Sequence, residues 1–146
     1  MITKHDLLEL IAKEKKLTFI STGMSEVKDV NYAVKIFKKN KCDFVLMHCV
    51  SNYPCHEKDL NLSLINTLKK KFKCKIGYSG HETSVSPSYM AWFLGADYIE
   101  RHITLDKSMW GTDQMCSVEP QGLMKLVRGV RELNSALGDG IKIVTE

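Results

Sequence analysis

Apolar positions along the chain switch repeatedly between two spacings. Within residues 4–15, Leu7, Leu8, Leu10 and Ile11 fall three or four apart, as one face of a helix requires, and the short run 17–21 then reads as a strand. Val27, Val30, Ala33, Val34 and Phe37 repeat the helical spacing over 26–40, and a second strand is expected over 43–48, closed by the turn Asn52-Tyr53-Pro54. The pattern then predicts a helix from about 60 to 72, a strand over 74–79, and a helix from about Pro87, a residue suited to a helix's first turn, to Leu94. Gly95 ends that helix, residues 96–101 form the fourth strand, and a last helix runs from about Pro120 to Leu137, closing at Gly138.

The order is therefore α-β-α-β-α-β-α-β-α. Strands separated by helices pair in parallel through right-handed crossovers, so the class is α/β. A closed (β/α)8 barrel needs about 250 residues and eight strands. Four strands make either a small open sheet or half of a (β/α)8 TIM barrel: four parallel βα units behind a leading helix.

Composition narrows the setting. One core is expected over 1–146, since 146 residues with 44% hydrophobic and 26% charged positions are normal for one globular domain. No apolar stretch approaches the roughly 20 residues that cross a bilayer, and the first sixteen residues lack a signal-peptide core. Five cysteines without a C-x-x-C pair fit reduced thiols, so a cytoplasmic protein with no membrane partner is expected. The net charge of +4 includes the cluster Lys69-Lys70-Lys71-Phe72-Lys73. It falls at an expected helix end, where lysines face the negative end of the dipole, so no nucleic-acid partner is inferred.

Chemistry enters at the strand ends, where a (β/α)8 barrel gathers its reactive groups. The four ends read Ser21-Thr22-Gly23-Met24, His48-Cys49-Val50-Ser51, Ser79-Gly80-His81-Glu82 and Glu100-Arg101-His102. A chain selected for its core alone would place apolar and turn residues there. His81 and His102 close successive strands, and neighbouring strands are about 4.8 Å apart, so the two imidazoles can converge on one ion. The alternative is that each bonds only to nearby backbone. Ser-Thr-Gly and Tyr-Ser-Gly can present hydroxyls and N–H groups to an anion or be ordinary turns. Asp113 lies in a long loop after strand four, where a solvated carboxylate is the default.

The strings ISTGMS (20–25), IGYSGHE (76–82), ERHITLDKSMWGTDQ (100–114) and SVEP (117–120) closely resemble the N-acetylneuraminate (sialic acid) synthase family, with its legionaminate-type and spore-coat polysaccharide relatives. The resemblance runs from about residue 5 to residue 138. It implies a (β/α)8 barrel that condenses phosphoenolpyruvate with an N-acyl amino sugar such as N-acetylmannosamine, giving a nonulosonic acid and phosphate. It implies a divalent metal, Mn2+ or Mg2+, on His81 and His102, acting as a Lewis acid on the sugar aldehyde. It also implies substrate contacts from Ser21, Ser51, Tyr53 and Ser79, and a hold on the sugar hydroxyls by Asp113. Glu100 and Arg101 are expected to anchor loops rather than touch substrate.

Against that family, strands one to four and the antifreeze-like C-terminal domain are expected to be absent, leaving the equivalent of strands five to eight. With half of the phosphate-binding groups missing, little transition-state stabilisation would remain in the chain alone. Two other readings stay open: a non-catalytic or assembly-dependent half-barrel, and a metal-dependent barrel enzyme of different chemistry. The expected assembly is a homodimer of half-barrels or a pair with a missing-half chain, because open parallel edges recruit strands.

Overall fold

The computed structural model describes residues 2–142 and Val144; of the domain expected over 1–146, residues 1, 143, 145 and 146 lie outside it. The chain forms helices α1 (His5–Lys13), α2 (Val27–Lys39), α3 (Leu64–Phe72), α4 (Ser86–Phe93) and α5 (Pro120–Leu137), interleaved with strands β1 (Thr18–Ser21), β2 (Phe44–Cys49), β3 (Lys75–Gly80) and β4 (Tyr98–Arg101). The strands form one parallel sheet in the order β1-β2-β3-β4, so each βα unit lies beside the previous one. This is a half-barrel.

The sheet's two faces differ in what covers them. Ile20, Leu46, Ile76 and Tyr78 point outward into a core shared with Val34 and Phe37 of α2 and Ile65 and Leu68 of α3. Alternation sends Phe19, Met47, Gly77 and Tyr98 to the other, concave face. Gly77 leaves room there for Met47, since a Cβ would lie 2.2 Å from Met47 Sδ. The rings of Phe19 and Tyr98 meet edge-on, centroids 5.0 Å apart, although they stand on the two outermost strands. Three strand spacings on a flat sheet would separate their backbones by about 14 Å, so the sheet curls. Phe19 is still 46% exposed, and the open groove between the concave face and α5 has a volume of about 730 Å3.

Two expected elements differ from those observed. The helix expected from residue 60 splits into a 3-10 turn, Glu57–Asp59, and α3, which begins only at Leu64, because Asn61 takes a left-handed φ of 44° that no α-helix continues through. The fourth strand begins at Tyr98, not residue 96, because Asp97 turns its carboxylate onto the Ile76 amide at 3.0 Å while its own amide bonds to the Ile76 carbonyl. At the end of α3, Lys69 meets the Gly95 carbonyl at 2.7 Å and Asp97 at 3.4 Å, which gives one lysine of the cluster a structural role.

Candidate active site at the strand ends

Two histidines meet where β3 and β4 end. β3 pairs with β4 so that Gly80 lies opposite Arg101, which sets the following residues, His81 and His102, side by side. Their ring centroids are 5.2 Å apart with planes at 74°. The Tyr53 ring lies 4.3 Å from that of His81 and 5.6 Å from that of His102, brought over the pair by the turn after β2. Burial and then nearby anionic groups, Asp113 among them, push the Tyr53 hydroxyl's pKa up.

Each imidazole turns Nδ1 toward an oxygen. His81 Nδ1 lies 2.6 Å from the Val50 carbonyl, and a carbonyl only accepts, so the proton sits on Nδ1 and Nε2 carries the lone pair. His102 Nδ1 lies 3.3 Å from Asp113 Oδ2, an arrangement that likewise favours a proton on Nδ1. Backbone bonding and a ligand role, set as alternatives by the spacing, are thus compatible: the first fixes the tautomer that the second needs.

The surroundings of His81 Nε2 decide what it can accept. Its neighbour at 3.3 Å is Ser79 Oγ, whose proton goes to Glu100 Oε1 at 2.7 Å. Lone pair therefore faces lone pair, an arrangement that a cation or an extra proton relieves. The residues fit a divalent ion on that ground, and the imidazole pair suits a first-row metal completed by oxygen ligands. Among the described residues no cluster of three or more His, Cys, Asp and Glu is placed to hold a metal, so the pair is not a closed ligand set.

Asp113 reaches His102 from eleven residues away because the loop is folded back. The Val118 amide bonds to the His102 carbonyl at 2.7 Å and the Thr104 amide to the Val118 carbonyl at 3.1 Å, continuing β4 with a parallel bridge between Ile103 and Val118. Ser117 Oγ then donates to the Asp113 carbonyl at 2.7 Å. The SVEP string is the staple that returns the carboxylate, which stays 44% exposed.

The other expected positions divide. Ser79 is buried against His81 and Glu100. Ser51 packs on the turn after β1, where a Cβ on Gly23 would lie 2.2 Å from its Oγ. Ser21 is exposed at the end of β1, opposite Met47 and two strands from β3. Glu100, expected to anchor a loop, instead lies on the concave face and accepts from Ser79; strand alternation separates it from Arg101, which points outward. That parity was available in the sequence once β4 was placed. His48 does not join the site: it is buried on the outer face with Nε2 2.7 Å from the Leu60 carbonyl.

Comparison with known proteins agrees with the half-barrel fold. A profile described as the NeuB family matches residues 1–142. The N,N'-diacetyllegionaminic acid synthase of Campylobacter jejuni is 40% identical over 97% of the chain, which spans 43% of that enzyme. The N-acetylneuraminate-9-phosphate synthase of Homo sapiens is 42% identical over 92% of the chain, which spans 38% of it. The crystal structure of N-acetylneuraminic acid (sialic acid) synthetase from Leptospira borgpetersenii superposes with a TM-score of 0.90 at 40% identity, covering 99% of this chain and 50% of that one. The chain therefore spans less than half the length of the curated relatives it matches. With the family profile matched across almost all of its length and the half-barrel superposing on a solved synthetase, the chain belongs to the NeuB family.

Proposed function

We propose that the chain forms the metal-holding and sugar-recognising half of a barrel that condenses phosphoenolpyruvate with an N-acyl amino sugar, giving a nonulosonic acid and phosphate. The observation that carries the reading is the pairing of His81 and His102, with His81 Nδ1 bonded to the Val50 carbonyl, His102 Nδ1 facing Asp113, and the His81 Nε2 lone pair left free for a ligand. Mn2+ or Mg2+ would be held there, and when bound supplies Lewis-acid polarisation of the sugar's open-chain aldehyde. Tyr53 shields the pair from water, Asp113 accepts from sugar hydroxyls while orienting His102, and Ser79, its proton steadied by Glu100, faces phosphoenolpyruvate. Ser51 and Ser21 would extend that surface toward β1. The strands correspond to the fifth to eighth of the barrel.

Catalysis on this reading needs the remaining strands, from a partner chain or another part of a longer one. The open concave face and the relatives' greater length favour this assembly-dependent form. The test is phosphate release from phosphoenolpyruvate with N-acetylmannosamine and Mn2+. The chain alone should give none. The chain joined by a polypeptide supplying the remaining strands should release phosphate, and His81→Ala in that assembly should abolish the release. Sugar conversion without phosphoenolpyruvate would instead assign a different chemistry.

A further inference from the structure

Behind the histidines lies a charged pair that the proposed reaction does not use. Arg101 and Glu82 point to the outer side, under α4, with side chains 2% and 0% exposed and Nη1 2.8 Å from Oε1. Nη1 also meets Ser88 Oγ at 3.1 Å and the Ser84 carbonyl at 2.8 Å, while Nη2 donates to the carbonyls of Glu82 and Cys116. The second carboxylate oxygen accepts from Tyr78 at 2.8 Å. Gly80 makes room for this, since a Cβ there would lie 2.8 Å from both Glu82 oxygens. Only Arg101 Nε, among the buried side-chain polar atoms described, lacks a partner.

Stability does not account for such a pair. Desolvating two charges costs several kcal/mol each, and apolar replacements of similar volume are often as stable or more so. Position does account for it. Glu82 directly follows His81, and Arg101 directly precedes His102. One guanidinium thus grips the turn after His81 at two carbonyls, and through Cys116 the segment that returns Asp113 to His102. A planar fork with fixed donor directions holds three chain segments at set distances, which a lysine cannot imitate.

We propose that the Glu82–Arg101 pair is a positioning device that sets the separation and aim of His81 and His102 for a divalent cation. It rests on the reading of that pair as the cation site. The test is Mn2+ titration of the chain followed by electron paramagnetic resonance, alongside thermal unfolding of the metal-free chain. Arg101→Lys and Glu82→Gln should each weaken Mn2+ binding by about 10–100-fold, the range for groups that orient metal ligands. Ser88→Ala, which removes one acceptor and leaves the fork's carbonyl contacts, should weaken it measurably without lowering the melting temperature. Unchanged affinity in folded Arg101→Lys or Glu82→Gln, while His81→Ala and His102→Ala lose Mn2+, overturns the positioning role alone. Unchanged affinity in the two histidine variants, or no Mn2+ binding by the native sequence, overturns the cation-site reading and this proposal with it. Should neither charged variant fold, Ser88→Ala decides: native Mn2+ affinity in it overturns the proposal.

Discussion

Asp113 Oδ2 stands 3.3 Å from Nδ1 of His102, although ten residues of loop separate them. The contact depends on backbone bonds of the Ser117–Val118 segment, which hold Asp113 through its own carbonyl and leave its carboxylate free to face both the imidazole and the open site. The anchoring and the chemistry therefore use different atoms of one residue, and the two can be separated by mutation.

Asp113→Ala keeps the carbonyl bonded by Ser117, so the loop should hold. In an active assembly, sugar recognition should weaken by about 10–100-fold, matching about 1.5–3 kcal/mol for a hydrogen bond to a charged acceptor. Phosphoenolpyruvate recognition should change less. Steady-state KM values for the two substrates measure this, and an equal loss for both would show that Asp113 only supports the loop.

His48 should make stability depend on pH. Burial holds its imidazole pKa below the usual value, outweighing its bonds to the backbone at Leu60 and Asn61. The folded chain keeps His48 neutral, while the unfolded chain takes up a proton near the ordinary value of about 6.5. The unfolded state then binds more protons, so the contribution present above about pH 6.5 is lost as pH falls below it. Urea midpoints compared at about pH 7.5 and about pH 5.5 should drop more for the native chain than for His48→Gln. Equal drops in the two proteins would show that other groups carry the acid sensitivity.

The chain by itself should not remain monomeric. β1 and β4 are both edges of a parallel sheet, and such edges recruit another strand. Phe19 on the concave face and Leu123 and Val127 on α5 remain more than a third exposed around the same groove. The expected state is a two-fold dimer of half-barrels or a complex with a chain carrying the complementary strands. Light scattering at micromolar concentration measures it, and a well-folded species of 16.6 kDa would contradict the expectation.

Local rules made much of this protein legible before its structure. Periodicity placed all nine regular elements, because helical and extended faces leave different spacings in the sequence, and Pro120 and Gly138 marked α5 at both ends. Alternation of β and α required a parallel sheet, and two histidines at successive strand ends could be expected to meet. The tertiary structure decided what parity and loops do to those ends. Four strand ends looked equally chemical, yet His48 and Arg101 face outward while Ser79 and Glu100 face inward, since a shift of one residue at a strand boundary reverses every side chain. The α3 start depended on Asn61 adopting a left-handed conformation, which spacing does not encode. Asp113 is within reach of His102 only because backbone bonds between Val118, His102 and Thr104 fold the loop back, and those bonds form between groups that every residue carries.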